Sequence, residues 1–153
     1  MPHSYPILLV DDDPSIADLL TRSAKLIFPE ARFTHVSSYA QAARYMSDLT
    51  GKGPRLILLD INLQVGLSGL EFLKLIRSHP QGRFLPVVML SSSREDVDTI
   101  AAYLAGASAY TQKPDSYAGW KNYVGKLRSY WYETVTVPQL WFEQDENGTD
   151  SYQ

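Results

Sequence analysis

The chain contains no cysteine. Disulfides, thiolate nucleophiles and cysteine-bound zinc are excluded at once. Histidine is scarce too: His3, His35 and His79 lie far apart in 153 residues, which speaks against a histidine-rich metal site. No apolar run approaches the length of a membrane span, so no membrane association is expected. The amino terminus, Met1 to Pro6, lacks the basic segment and long apolar stretch of a secretory signal, and the expected location is cytoplasmic. Basic residues form no stripe, and the formal net charge of −3 leaves no electrostatic footprint for DNA or RNA. Internal repeats, low-complexity tracts and breaks in composition are absent as well.

What remains is an ordinary globular composition, 44% hydrophobic and 20% charged, in a chain long enough for one domain with a full core. Short apolar runs punctuate it. Ile7 to Val10 runs into Asp11-Asp12-Asp13. Leu56 to Leu59 ends on Asp60. Pro86 to Leu90 runs into Ser91-Ser92-Ser93. Ala109 to Lys113 is closed by Pro114. Runs this short and uniformly apolar suit strands buried on both faces of a parallel sheet. A fifth strand is expected over Arg32 to Ser38. Between the strands, apolar residues recur at helical spacing: Ile16 to Ile27, Ala42 to Leu49, Leu70 to Ile76, Val97 to Leu104 and Trp120 to Trp131. Asp13 before Pro14 makes a strong helix start, a carboxylate cap followed by a residue that needs no donor there. Gly106 is placed to end the fourth helix. Strand and helix thus alternate five times, which predicts a doubly wound α/β domain around a five-stranded parallel sheet.

Parallel strands bring their carboxyl ends to one edge, where open α/β sheets carry their sites. The residues at those ends are Asp11, Asp12 and Asp13, then Asp60, Ser91 and Lys113. Clustered carboxylates repel one another, and a divalent cation relieves the repulsion. Mg²⁺ takes one or two carboxylates plus phosphate oxygens, and lysine binds phosphate as a point charge. The set fits a phosphoryl group beside Mg²⁺. Bland roles compete at several positions. Asp13 reads better as a helix cap than as a ligand, Tyr110 can be plain core, and Ser92 and Ser93 can simply start a helix. His35 and His79 read as surface residues.

Taken in order, Ile-Leu-Leu-Val-Asp11-Asp12-Asp13-Pro, Leu-Ile-Leu-Leu-Asp60, Val-Val-Met-Leu-Ser91-Ser92-Ser93 and Gly106-Ala-Ser-Ala-Tyr110-Thr-Gln-Lys113-Pro114 resemble the receiver domain of two-component response regulators over about residues 6–133. The resemblance implies a (βα)5 flavodoxin-like fold with strand order 2-1-3-4-5. It implies that Asp60 accepts a phosphoryl group from a phosphohistidine of a sensor histidine kinase or a histidine phosphotransfer protein. Asp12 would ligate Mg²⁺ directly, Asp11 through water, with Asp60 and the Asn62 carbonyl completing the protein ligands. Ser91 and Lys113 would hold phosphoryl oxygens, and Ser91 with Tyr110 would form the switch. Ser93 and Asn62 would set the lifetime of the phosphate. The Lys113–Pro114 peptide would be cis. The protein would catalyse only its own phosphorylation and slow dephosphorylation.

One stretch departs from the family pattern. Gln64 stands where a proline is usual, four positions after Asp60, and Val65 to Gly69 is one residue longer. A receiver over 1–138 and an acidic, partly disordered tail over 139–153 are expected, with Trp141 and Phe142 placed to tuck back onto the domain. No DNA-binding or enzymatic output domain fits into that tail, so a single-domain regulator is expected. Its aromatic end, Tyr130 to Pro138, resembles the regulators that serve bacteriophytochrome kinases. Such a protein would act by docking, by relay, or as a homodimer through the face of the fourth helix, last strand and fifth helix (Tyr103, Tyr110, Tyr117, Tyr123) or through the C-terminal segment. Two rivals are weaker. A Mg²⁺-dependent phosphohydrolase would want an acid at position 62, where Asn62 stands. A pseudo-receiver that binds partners without phosphate would usually have lost Asp60, Asp12 or Lys113.

Overall fold

A computed structural model of the chain describes residues 3–64 and 66–143. The elements run β1 (Tyr5–Val10), α1 (Pro14–Ile27), β2 (Ala31–Val36), α2 (Tyr39–Asp48), β3 (Gly51–Lys52), β4 (Leu56–Leu59), α3 (Gly69–Ser78), β5 (Val87–Ser91), α4 (Asp96–Leu104), β6 (Ala109–Gln112), α5 (Tyr117–Leu127) and β7 (Trp141–Phe142). Five strands form a parallel sheet in the order β2-β1-β4-β5-β6. With the short β3 set aside, this is the expected 2-1-3-4-5 order.

The alternation of side chains along each central strand divides the core in two. Leu8, Val10, Ile57, Leu59, Val87 and Met89 face α2 and α3. Ile7, Leu9, Leu56, Leu58, Val88 and Leu90 face α1 and α5. Both faces of β1, β4 and β5 are therefore apolar, which is why these strands read as unbroken hydrophobic runs. Asp13 caps α1 as expected: its carboxylate accepts from the Ser15 N–H at 2.9 Å and the Ser15 hydroxyl at 2.7 Å. Those bonds hold its pKa below the ordinary aspartate value. Gly106, with φ +104°, follows α4 in the left-handed conformation that terminates helices.

Four features differ from what the sequence suggests. First, α4 turns its apolar stripe outward: Val97, Ile100 and Leu104 are 74%, 57% and 83% exposed, and Ala102 is the residue it buries. Periodicity defines a face and not its direction. Second, the expected tucking back of Trp141 and Phe142 goes further for one and less far for the other: β7 pairs antiparallel with β3 and lays Leu140 and Phe142 into the core on the α2–α3 side, while Trp141 stays exposed. Phe142 covers Gly53 so closely that a Cβ there would stand 2.4 Å from the ring. Third, His79 is buried rather than surface-exposed, its ring 5.4 Å from that of Phe142 and its Nδ1 accepting from the Gln81 and Gly82 amides. Fourth, no peptide bond among the described residues is cis, so Lys113–Pro114 adopts the trans form that X–Pro bonds favour.

The fifth helix also ends differently. After Leu127 the chain loosens into a π-helical segment, Arg128–Tyr132. Arg128 forks onto both oxygens of buried Glu30 at 2.7 and 3.1 Å and also pairs with Glu133. Tyr132 closes over Tyr5 and Phe28. The wider turn lets the arginine and the tyrosine reach these partners together. No helix among the described residues is long and apolar enough to cross a membrane. Most of the expected acidic tail, 144–153, and Val65 lie outside the described residues.

Candidate functional site

The site stands at the carboxyl edge of the sheet, where β1, β4, β5 and β6 end. The register fixes it: Val10 lies beside Leu59, so Asp11 and Asp60 emerge as neighbours. The Asp60 amide donates to the Val10 carbonyl at 2.8 Å and the Asp11 amide to the Val36 carbonyl at 3.1 Å, which clamps both backbones. His35 Nε2 sits 2.7 Å from the Asp11 carbonyl and braces it from β2. Gly69 is pressed against the Asp60 carbonyl; a Cβ at that position would come within 2.0 Å of the oxygen. Only glycine lets α3 begin this close to the acid.

The side chains converge. Asp11, Asp12 and Asp60 each offer an oxygen within 4.8 Å of the others. Lys113 Nζ lies 2.9 Å from Asp11 Oδ2 and 3.2 Å from Asp60 Oδ2. Asp60 Oδ1 accepts the Asn62 amide at 3.1 Å, and Asp11 Oδ1 accepts the Asp13 amide at 2.9 Å. Asp12, half-buried at the rim, accepts the Gln64 amide at 3.3 Å. Asp11 is wholly buried and Asp60 nearly so.

Burial is the main influence on both partners of the Lys113–Asp60 pair. It pushes the Asp60 carboxyl above its ordinary pKa. The Asn62 amide pulls down, Asp11 pushes up again and Lys113 pulls down, and the net result stays upward. For Lys113, burial acts downward, but the carboxylates of Asp11 and Asp60 outweigh it and hold the ammonium above the lysine value. One cation thus faces two buried acids with a third close by. The cluster is short of positive charge.

A hard divalent cation fits this deficit. The donors are all oxygen, as such ions prefer. Asp11 Oδ2, although ion-paired with Lys113, takes no aligned hydrogen bond and keeps lone pairs available in a fully enclosed position. Asp11, Asp12 and Asp60 are the carboxylates able to hold such an ion, and Asn62 is within the same turn.

Ser91 and Tyr110 form a second group beside the first. Ser91, buried at the end of β5, accepts the Ser93 amide at 3.1 Å. The Tyr110 hydroxyl donates to the Ser93 carbonyl at 2.9 Å, and the Ser93 hydroxyl donates to Asp98 at 2.6 Å. Among the described residues no side-chain hydrogen bond joins Ser91 or Tyr110 to the acids. They meet the site through the main chain, where the Lys113 amide donates to the Ser91 carbonyl at 2.9 Å. Ser93 is therefore the hub of the loop between β5 and α4. Sequence reading places Asp11, Asp12, Asp60, Lys113 and Ser91 correctly at one edge, and it misses His35, Gly69 and the Gln64 amide as supports. For Gly69 a signal existed, a glycine opening a helix close after a strand-end acid. For the other two the contact is with main chain and leaves no motif.

Comparison with known proteins agrees with this geometry. Residues 7–119 match the response regulator receiver domain. FilR2 of Methanothrix harundinacea is 32% identical over 130 residues, covering 83% of either chain. Rcp1 of Synechocystis is 38% identical over 85 residues, 56% of this chain and 57% of that one. The solved Mn(2+)-bound form of response regulator Rcp1 aligns with a TM-score of 0.75 at 30% identity, covering 88% of this chain and 99% of that one. The phosphorylated cyanobacterial phytochrome response regulator RcpA aligns with a TM-score of 0.81 at 26% identity, covering 89% and 99%. With the fold, the strand-end acids and these matches in agreement, the chain belongs to the response regulator receiver domain family.

Proposed function

We propose that this receiver domain takes a phosphoryl group onto Asp60 from a phosphohistidine, on a sensor histidine kinase or a histidine phosphotransfer protein, and works with Mg²⁺ in the cytoplasm. The observation that carries the reading is the cluster itself: three carboxylates with oxygens within 4.8 Å and one ammonium 2.9 and 3.2 Å from two of them. Mn²⁺ binding by the similar Rcp1 supports a divalent cation, and the all-oxygen donors favour Mg²⁺. Asp11, Asp12, Asp60 and the Asn62 carbonyl would hold it. Bound there, it would neutralise the charge gathered between the acids and the incoming phosphoryl group.

In the transfer, an Asp60 carboxylate oxygen forms a bond to phosphorus as the bond from phosphorus to the histidine nitrogen breaks, and the imidazole leaves. Phosphoryl transfer asks for positioning and charge balance more than for covalent help. The Asn62 amide fixes the Asp60 carboxylate, and the Asp11 and Asp60 backbones are pinned to β2 and β1. Lys113 already points between Asp11 and Asp60 and would shift its charge onto a phosphoryl oxygen. The Ser91 hydroxyl would take another. Drawing Ser91 toward the phosphoryl group disturbs its bond with the Ser93 amide, and Ser93 in turn anchors the Tyr110 hydroxyl. That chain of bonds gives the proposed switch, from Ser91 through Ser93 to Tyr110.

The output surface follows from the same elements. Tyr110 lies on edge strand β6, its amide donating to the Tyr103 hydroxyl on α4. Next to it α4 exposes Val97, Ile100 and Leu104. An outward apolar stripe beside the switch suits a docked protein, either a second copy of this chain or a downstream partner. The C-terminal segment is the weaker candidate, because Leu140 and Phe142 are already buried in the chain's own core.

The test uses acetyl phosphate with Mg²⁺ and intact-mass detection. The wild type should gain one acid-labile phosphate and Asp60→Asn none. Robust labelling of Asp60→Asn sinks the assignment. Lys113→Ala should still take label but fail to transmit the change to the Tyr110 and α4 resonances.

A further inference from the structure

Two acids of the cluster are held alike and the third is not. Asp11 is pinned by Lys113 and by the Asp13 amide. Asp60 is pinned by Lys113 and by the Asn62 amide. Asp12 has neither an ion pair nor a side-chain partner among the described residues. What touches its carboxylate is a single donor, the main-chain N–H of Gln64, 3.3 Å from Oδ2 and 52 residues away in sequence. A half-buried aspartate without that bond is free to swing among its rotamers, and ordering it again on binding costs entropy.

We infer that the Gln64 main-chain amide is a positioning group that holds Asp12 toward Asp11 and Asp60 for divalent-cation binding. The inference rests on the proposed cation site and adds what orients one of its ligands. The chemistry is favourable, because a carboxylate has two oxygens and several lone pairs. Accepting one N–H at Oδ2 leaves capacity for a cation while fixing the plane of the group. The bond also ties Gln64, in the β4–α3 connection, to the end of β1. A proline at 64 cannot supply this donor, since it has no N–H. The departure from the family pattern at this position is therefore what makes the contact possible, and the side chain of Gln64 plays no part in it.

That distinction gives the experiment. Mn²⁺ is titrated into metal-free wild type, Gln64→Ala and Gln64→Pro, with water-proton relaxation as the readout. Gln64→Ala keeps the amide and should bind as the wild type does. Gln64→Pro should bind about three- to tenfold more weakly, the scale of one ordinary hydrogen bond. Unchanged or tighter binding by Gln64→Pro overturns the positioning role alone, as does a Gln64→Ala variant that binds as weakly as Gln64→Pro. A wild type that binds no Mn²⁺ overturns the cation site itself. A second measurement needs no proline. In ¹⁵N spectra of the metal-free protein, Asp12→Ala should shift the Gln64 amide proton upfield by removing its acceptor; an unmoved Gln64 amide overturns the contact.

Discussion

The two ends of the parallel sheet are built on opposite terms. At the carboxyl edge, Asp11, Asp12 and Asp60 crowd around one lysine, with two of the acids buried. At the amino edge, a strap from Gln139 to Phe142 crosses the entrances of β4 and β5, seals Leu140 and Phe142 into the core and pairs β7 with β3. Close by, Arg77 reaches from α3 to the Gly82, Leu85 and Gly106 carbonyls at 2.7–2.8 Å and ties the α3–β5 and α4–β6 loops together. One end holds unrelieved repulsion. The other end is held by apolar packing and by main-chain hydrogen bonds. The stability that the crowded acids cost has to come from elsewhere in the fold.

The contrast breaks most visibly at Phe142. Phe142→Ala removes a fully packed ring from the α2–α3 core. A buried phenylalanine cut to alanine costs about 3–5 kcal/mol, and a strap near a chain end can lift off instead of leaving a cavity, so about 2–4 kcal/mol is expected here. Urea unfolding followed by circular dichroism checks it. Labelling of the folded fraction by acetyl phosphate should be unchanged, since the strap lies at the far edge from Asp60. A loss of labelling equal to the loss of stability would mean that the two ends are not separable.

The two ends also differ in how far the sequence disclosed them. Asp11, Asp60, Ser91 and Lys113 were legible because parallel strands deliver their last residues to one edge, and an apolar run followed by a polar residue marks that edge directly. Asp13 was legible because capping is local chemistry. The strap was only half legible. Trp141 and Phe142 are apolar enough to expect docking, but strands of two residues carry no periodicity, and their partner lies about ninety residues away in Gly51–Lys52. His79 read as surface because its burial depends on that same distant Phe142. The outward turn of α4 was hidden for another reason. Val97, Ile100 and Leu104 recur at helical spacing whether the stripe meets a core or a partner.

A smaller effect sharpens the carboxyl edge. Burial and the Asp11 charge hold Asp60 above its ordinary pKa. A group shifted this way favours folding while protonated, and that contribution is lost as pH rises through the folded value. At neutral pH, then, the ionised Asp60 works against the metal-free fold. Asp60→Asn should raise the melting temperature in chelator by about 2–4 °C, the shift expected for roughly 1 kcal/mol in a domain of this size. The gain should vanish below pH 3.8, where the unfolded aspartate is protonated as well. Excess Mg²⁺ should reverse the order, because it stabilises the chain that retains the acid. A less stable Asp60→Asn protein in chelator would show that the carboxylate is structural.

The smallest effect lies at the amino edge and carries the opposite sign. Burial holds His79 below the ordinary histidine pKa of 6.5. Its Nδ1 accepts two amide protons, from Gln81 and Gly82, and a protonated Nδ1 cannot accept. The unfolded chain therefore binds the proton more readily than the folded one. Stability from this group is complete above pH 6.5 and is lost as pH falls through the folded value. Acidification should loosen the strap first, because the His79 ring lies against Phe142. Fluorescence of the half-exposed Trp141 is not a selective report in a chain with three tryptophans. Amide exchange at Gly51, Lys52, Trp141 and Phe142 is selective, and it should speed up as pH falls below 6.5, beyond the intrinsic pH trend. His79→Asn, which keeps an acceptor but cannot take up a proton, should flatten that extra dependence. If the pH dependence of the strap persists in His79→Asn, the sensitivity belongs to another group, and the opposition between the two ends then rests on the Asp60 measurement alone.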